Sequence, residues 1–230
     1  MELWRRGSSQ ENWSCMTKKK LVPLLAILVI ASAVVWIYRS QSGTQKFALN
    51  PYHALGTGAA EETAKLLGNQ GAVVVVSPDT GEFKNAAVDG QLQSFQDTLQ
   101  KNKAMSIAAT VKFKLTPMER MATGGAVPRD AFLQALQSHP NAGAVVLFCA
   151  FPPLASQDYA ALKQSGVKVV VASGYGPAYR KLLEAQVIHL AIVPQFDRPA
   201  TDGKPPQTLR GWFDQEFQVI TSANTATLPY

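Results

Sequence analysis

Four short runs of almost purely apolar residues constrain this chain more than any other feature: Ala72–Val76, Ala144–Ala150, Val167–Ala172 and Val187–Val193. Each is too short for a spanning helix and is rich in β-branched valine and isoleucine. An uninterrupted run of this kind is what a strand covered on both faces requires. Between the runs, apolar residues recur at helical spacing. Val88, Leu92, Phe95 and Leu99 form one stripe, Phe132, Leu133 and Leu136 a second, Tyr159 and Leu162 a third, and Tyr179, Leu182 and Leu183 a fourth. Strands alternating with amphipathic helices imply a parallel sheet with right-handed crossovers. The expected architecture is therefore a three-layer α/β/α domain with a mostly parallel sheet of five or six strands.

Two further strands complete this expectation. Met105, Ile107, Ala109, Val111 and Phe113 alternate with small or polar residues at period two, which suits a half-buried strand at a sheet edge. Glu216–Thr221 suits a sixth strand, antiparallel at the other edge. Lys114–Val127, with Gly124-Gly125, reads as a long polar loop, Asp197–Gly211 as an excursion, and Ser222–Tyr230 as a loose end. Pro128, Ser156 and Gly176-Pro177 mark helix starts, and Gly166 a helix stop. Gly56-Thr57-Gly58 lacks the third glycine of a dinucleotide fingerprint and follows no strand. The expectation is that Thr57 or Gly58 caps a helix running to about Leu67, ended by Gly68.

Ahead of this domain stands Leu21–Tyr38, eighteen residues without a charge. As a helix it would reach about 27 Å, close to the hydrocarbon thickness of a bilayer. It has no polar face, which argues against a core helix. Lys18, Lys19 and Lys20, with Arg5 and Arg6 behind them, place its N-terminal side in the cytoplasm, and Trp36 and Tyr38 suit the interface. The expected plan is a basic cytoplasmic tail (1–20), a transmembrane signal-anchor helix (21–38), a spacer (39–56) and a domain (57–230) in the periplasm, the whole anchored once in a bacterial inner membrane. Ala31-Ser32-Ala33 has the form a signal peptidase accepts, so a cleaved signal and a secreted domain is the alternative. Met16 also makes a plausible start, with the residues before it an extension.

Charge and cysteine narrow the function. The chain carries a net +6, half of it in the tail. The remainder shows no basic stripe of the kind nucleic acid needs, so no nucleic-acid partner is expected. Cys15 and Cys149 fall on opposite sides of the predicted span and form no disulfide framework. Cys149 lies in an apolar strand and reads as a small core residue.

The segments AVVVVSPD, NAGAVVLFCAFPP and QSGVKVVVASGYG together resemble one lobe of a type I periplasmic binding protein, the sugar-binding fold shared with LacI-type regulators. The likeness covers about Gly71 to Phe196, and a flavodoxin-like domain shares much of the pattern. The resemblance implies a small polar or sugar-like ligand. Binding proteins of this family clamp ligand between two lobes, whereas this chain has length for one. A single lobe cannot close on a ligand, so a degenerate site, or one completed by a partner protein or a second copy, is implied.

Ligands of open α/β sheets sit beyond the C-terminal strand ends. That rule points to Asp79, Phe151, Ser173, Tyr175 and Gln195 as ligand-binding residues, with Ser77, Lys114 and Phe196 nearby. Aromatic faces beside hydrogen-bonding groups suit a sugar-like molecule. Catalytic signals are weak. Ala172-Ser173-Gly174-Tyr175-Gly176 lacks the first glycine of a nucleophile elbow. His53, His139 and His189 are far apart in sequence, and His189 sits among apolar residues as a packed histidine would. No metal-ligand spacing and no lysine-containing phosphate loop is present, so no cofactor or metal is expected. The expectation is a binding or interaction module. The alternatives are an exported hydrolase working through Asp79 and Ser173, or a structural subunit of an envelope complex.

Overall fold

The computed structural model describes residues 28–36, 50–81, 85–172, 176, 178–195 and 205–228. The chain divides into two units, Met1–Ala48 and Leu49–Tyr230. In the first, residues 28–36 are helical and exposed. The two ends of the predicted span Leu21–Tyr38 lie outside the described residues. Among the described residues no helix is long and apolar enough to cross a membrane.

The second unit holds a six-stranded sheet in the order β2-β1-β3-β4-β5-β6. The strands are β1 (Gly71–Pro78), β2 (Met105–Phe113), β3 (Ala144–Leu147), β4 (Lys168–Val171), β5 (Leu190–Pro194) and β6 (Phe217–Ile220). β1 pairs in parallel with β2 and β3, β3 with β4, and β4 with β5, while β6 runs antiparallel to β5. The six-stranded expectation holds, including the half-buried edge strand β2 and the antiparallel edge strand β6. The apolar runs become strands because each alternate residue finds its own covered layer. Val74, Val145 and Val169 stand in one row, then Val76, Leu147 and Val171, all facing one core. Val73, Val75, Val146 and Val170 face the other.

Helices close both faces. α1 (residues 50–66), α2 (Ala86–Gln100) and α7 (Leu209–Glu216) cover one. α4 (Arg129–Ser138), α5 (Ser156–Ser165) and α6 (Tyr179–Glu184) cover the other. α3 (Pro117–Thr123) buries no residue.

Three local expectations are corrected. The first helix begins at residue 50, so Gly56-Thr57-Gly58 lies inside it and caps nothing. A Cβ on Gly56 would stand 2.1 Å from the backbone oxygen of Gln91 in α2, and one on Gly58 would stand 2.1 Å from the Phe213 ring in α7. The glycines are there because two helices press against α1. Arg210 of α7 reinforces that junction through Glu61 (2.9 Å) and Glu62 (3.0 Å).

The polar loop Lys114–Val127 contains α3, set by a complete capping box. Glu119 N–H donates to Thr116 Oγ1 at 3.2 Å, and Thr116 N–H donates to Glu119 Oε2 at 2.8 Å. Gly124 ends the helix at φ 61°. Finally, the expected loose end is tied down. Thr225–Thr227 form a 3₁₀ turn, Leu228 is buried, and the Arg180 guanidinium donates to the Leu228 carbonyl.

Candidate functional site

The strand order reverses direction at β1 and β3, and the crevice beyond their C-terminal ends is where an open sheet of this kind offers a site. Ser77 closes β1 as a fully buried residue whose hydroxyl donates to the Pro78 carbonyl at 3.1 Å. Asp79 follows. Its backbone N–H donates to the Phe113 carbonyl at 2.7 Å, which ties the turn to the end of β2. Its carboxylate accepts the Gly81 N–H at 3.0 Å and faces Lys114 Nζ at 3.6 Å. The Gly81 N–H holds this carboxyl below the usual range; burial opposes it, and Lys114 and Lys112 add to the lowering. Asp79 is therefore ionised and engaged on both oxygens.

Beyond β3 the chain turns through Ala150, Phe151, Pro152 and Pro153 into an open cavity of 530 Å³. Phe151 is buried in its wall, packed edge-to-face on Phe132 with ring centroids 5.9 Å apart. Its backbone N–H donates to Tyr179 Oη at 3.4 Å. Burial pushes the Tyr179 phenol up to about 12. The end of α3 (Ala122, Thr123 and Gly124), Tyr159 of α5 and the start of α6 complete the lining. Below it, Cys149 is buried and its thiol is pushed up to about 12 by that burial, so it is no nucleophile at neutral pH.

An ion pair braces this wall. Asp158, itself buried, takes Arg129 Nε at 2.7 Å and Nη2 at 2.6 Å, and also accepts the Ala155 N–H at 2.8 Å. The two-pronged contact joins the first turns of α4 and α5 beside the Pro152-Pro153 bend. The Arg129 guanidinium holds the Asp158 carboxyl below the usual range.

Of the five residues expected from sequence, Phe151 lines the cavity and Asp79 does not. Gln195 sits at the end of β5, where its backbone N–H donates to the Glu216 carbonyl at 2.9 Å. With its amide nitrogen turned inward it donates to the carbonyls of Asp214 (3.1 Å) and Gln215 (3.0 Å), closing the C-terminal end of α7. Ser173 and Tyr175 lie outside the described residues, as does Phe196. Sequence reasoning missed Thr123, Tyr159, Tyr179 and the Arg129–Asp158 brace. One signal was available: the Thr116-x-x-Glu119 capping box marks a helix at the rim.

Among the described residues no group of three His, Cys, Asp or Glu side chains stands close enough to hold a metal ion. His53 is spent between α1 and α2, with Nδ1 2.7 Å from Ser94 Oγ. Among the described residues the cavity offers aromatic faces, hydroxyls and backbone amides.

No model of a known family matches this chain, and no curated protein does. Solved structures match in fold. The arabinose-binding protein AraP of Geobacillus stearothermophilus aligns at TM-score 0.51 and 18% identity over 76% of this chain and 62% of its own. A sugar-binding protein of a sugar ABC transporter from Bacillus halodurans gives 0.51 and 16% over 77% and 64%. An ABC transporter solute-binding protein from Burkholderia graminis C4D1M, solved with D-arabinose, gives 0.53 and 15% over 77% and 62%. At these identities the likeness is one of fold, and the fold is that of a type I periplasmic-binding-protein lobe. This chain spans less than two thirds of each of the three proteins.

Proposed function

We propose that this protein is a membrane-anchored, extracytoplasmic binding module whose cavity beyond β3 receives a small polar or sugar-like ligand. The observation that carries the proposal is the 530 Å³ cavity at the strand-end rim, bearing Phe151, Tyr159 and Tyr179 beside Thr123 and Gly124. A sugar presents apolar C–H faces and a belt of hydroxyls, and aromatic rings beside hydrogen-bonding groups match both. The fold neighbours named above bind sugars, which supports the ligand class. The cavity is open to solvent, and in this proposal a partner protein or a second copy completes it. In this proposal Leu21–Tyr38 is the anchor, with Lys18, Lys19 and Lys20 cytoplasmic and the domain in the periplasm. The hydrolase alternative is weakened because Asp79 is occupied by Gly81 and Lys114.

The test is a thermal-shift and calorimetric screen of the detergent-solubilised full chain against pentoses and hexoses. A saturable response that Tyr159→Ala abolishes, with the fold retained, is the expected result. An unresponsive panel, or a response indifferent to Tyr159→Ala, would remove the ligand assignment. Fusions at Tyr230 test the anchor separately: alkaline phosphatase should be active there and a cytosolic fluorescent reporter dark.

A further inference from the structure

At the opposite end of the sheet, where β4 and β5 begin, a second cavity of 220 Å³ opens between the α5–β4 and α6–β5 connections. It is smaller than the roughly 300 Å³ at which pockets for drug-sized ligands begin. Its chemistry is unlike that of the rim. Lys163, Lys168, Gln186 and His189 line it together with Gly166, and among the described residues no carboxylate does. Among the described residues neither lysine is in an ion pair. Two unpaired lysines among the lining residues give this concavity a positive character. The C-terminal ends of α5 and α6 lie beside it and together contribute about one negative charge. Two lysines outweigh that.

His189 is held in one role. Its backbone N–H donates to the Val169 carbonyl at 2.8 Å, and its Nδ1 accepts the Val169 N–H at 3.2 Å. A neutral ring whose Nδ1 accepts must carry its proton on Nε2. Burial, with Lys168 adding to it, holds the imidazole pKa below the ordinary value. The ring is thus an uncharged donor at neutral pH. Gln186, at the lip, adopts φ 56°, an uncommon conformation for a residue with a side chain. It is a local constraint that the turn between α6 and β5 maintains at the cavity itself.

We propose that this basal cavity binds a small oxyanion of the phosphate or sulfate class, with Lys163 and Lys168 supplying charge and His189 Nε2 an uncharged hydrogen bond. The site lies away from the rim and does not depend on the ligand proposed there. The anionic group can belong to a free phosphorylated or sulfated molecule or to a phospholipid headgroup, and the two sources are separable.

The experiment uses the full chain in neutral detergent, with histidines labelled in the ring; there are three. Sulfate and inorganic phosphate are titrated first, then a short-chain phosphatidylglycerol against the matching phosphatidylcholine. Saturable movement of the His189 resonances, with those of His53 and His139 still, is the expected result. Lys163→Gln with Lys168→Gln should weaken binding at least about tenfold, the loss of a charge-assisted hydrogen bond. Lys163 is exposed and Lys168 half-buried at its edge, so an unchanged melting temperature checks that the double variant folds.

Saturation by phosphatidylglycerol alone would keep the site and assign it to a headgroup. Sulfate affinity should be flat between about pH 6.5 and 8, since the ring donates while neutral. Affinity that climbs steeply as pH falls through that range would overturn the uncharged-donor role. Absence of saturation by every probe, or saturation untouched by the double lysine variant, would overturn the site.

Discussion

α1 and α3 are two helices that the same chain builds by opposite means. α1 carries two glycines in its interior, each costing about 1 kcal/mol of helix propensity relative to alanine. It is nonetheless pressed into the core, with Ala54, Leu55, Ala59 and Ala60 buried. α3 has a capping box, proline in its first turn and a left-handed glycine at its end, yet none of its residues is buried. Met118 and Met121 stand 81% and 87% exposed. One helix exists because neighbours hold it, the other because its own ends do. Short helices of the second kind are marginal in isolation, so α3 should be the more readily opened of the two.

That contrast can be broken by substitution. Gly56→Ala should cost the most, about 3 kcal/mol and about 10 °C in Tm, because the new methyl meets backbone that cannot step aside. Gly58→Ala should cost about 2 kcal/mol, since the Phe213 ring can move. Pairing it with Phe213→Leu should recover about 1 kcal/mol in a double-mutant cycle. In an exposed helix the same glycine-to-alanine changes would stabilise, so a raised Tm would refute the packing account.

The Arg129–Asp158 brace comes next, and pH reads it. The Asp158 carboxyl is depressed in the folded state, so its stabilisation is full above the ordinary carboxylate pKa of about 4 and is lost as pH falls through the folded value. Asp158→Asn should lower Tm at neutral pH and narrow the gap to the parent in acid. A gap that does not change with pH would mean the pair is not the source.

Thr116→Ala should cost α3 about 1 kcal/mol of local stability, seen as faster amide exchange over residues 117–123 with no change in the global Tm. Met118→Gln and Met121→Gln should stay within about 0.5 kcal/mol. A global loss from any of the three would show that α3 carries more of the fold than its burial suggests.

The same division explains how much of the site was legible. Phe151 was found because it follows a strand that could only be central, and the strand-end rule then applies to it. Asp79 and Gln195 obey the same rule but are consumed locally, by Gly81 and Lys114 in one case and by the end of α7 in the other. For Asp79 the Asp79-Thr80-Gly81 turn was a local signal, whereas nothing near Gln195 in sequence announces the end of α7. Tyr179 was read as a core residue, which it is, but its hydroxyl also meets the Phe151 N–H from 28 positions away.

By itself the sequence determined the layered α/β plan, the five parallel strands and the antiparallel edge. Period and apolarity are properties of consecutive residues, and burial on two faces leaves a strand no other composition. Only the tertiary structure decided why two glycines stand in α1, where the Arg129–Asp158 brace falls, and that lysines from α5 and β4 line one cavity with His189 at the base of the sheet. Those depend on side chains far apart in the chain arriving within a few ångströms of one another, and no local pattern encodes a distance.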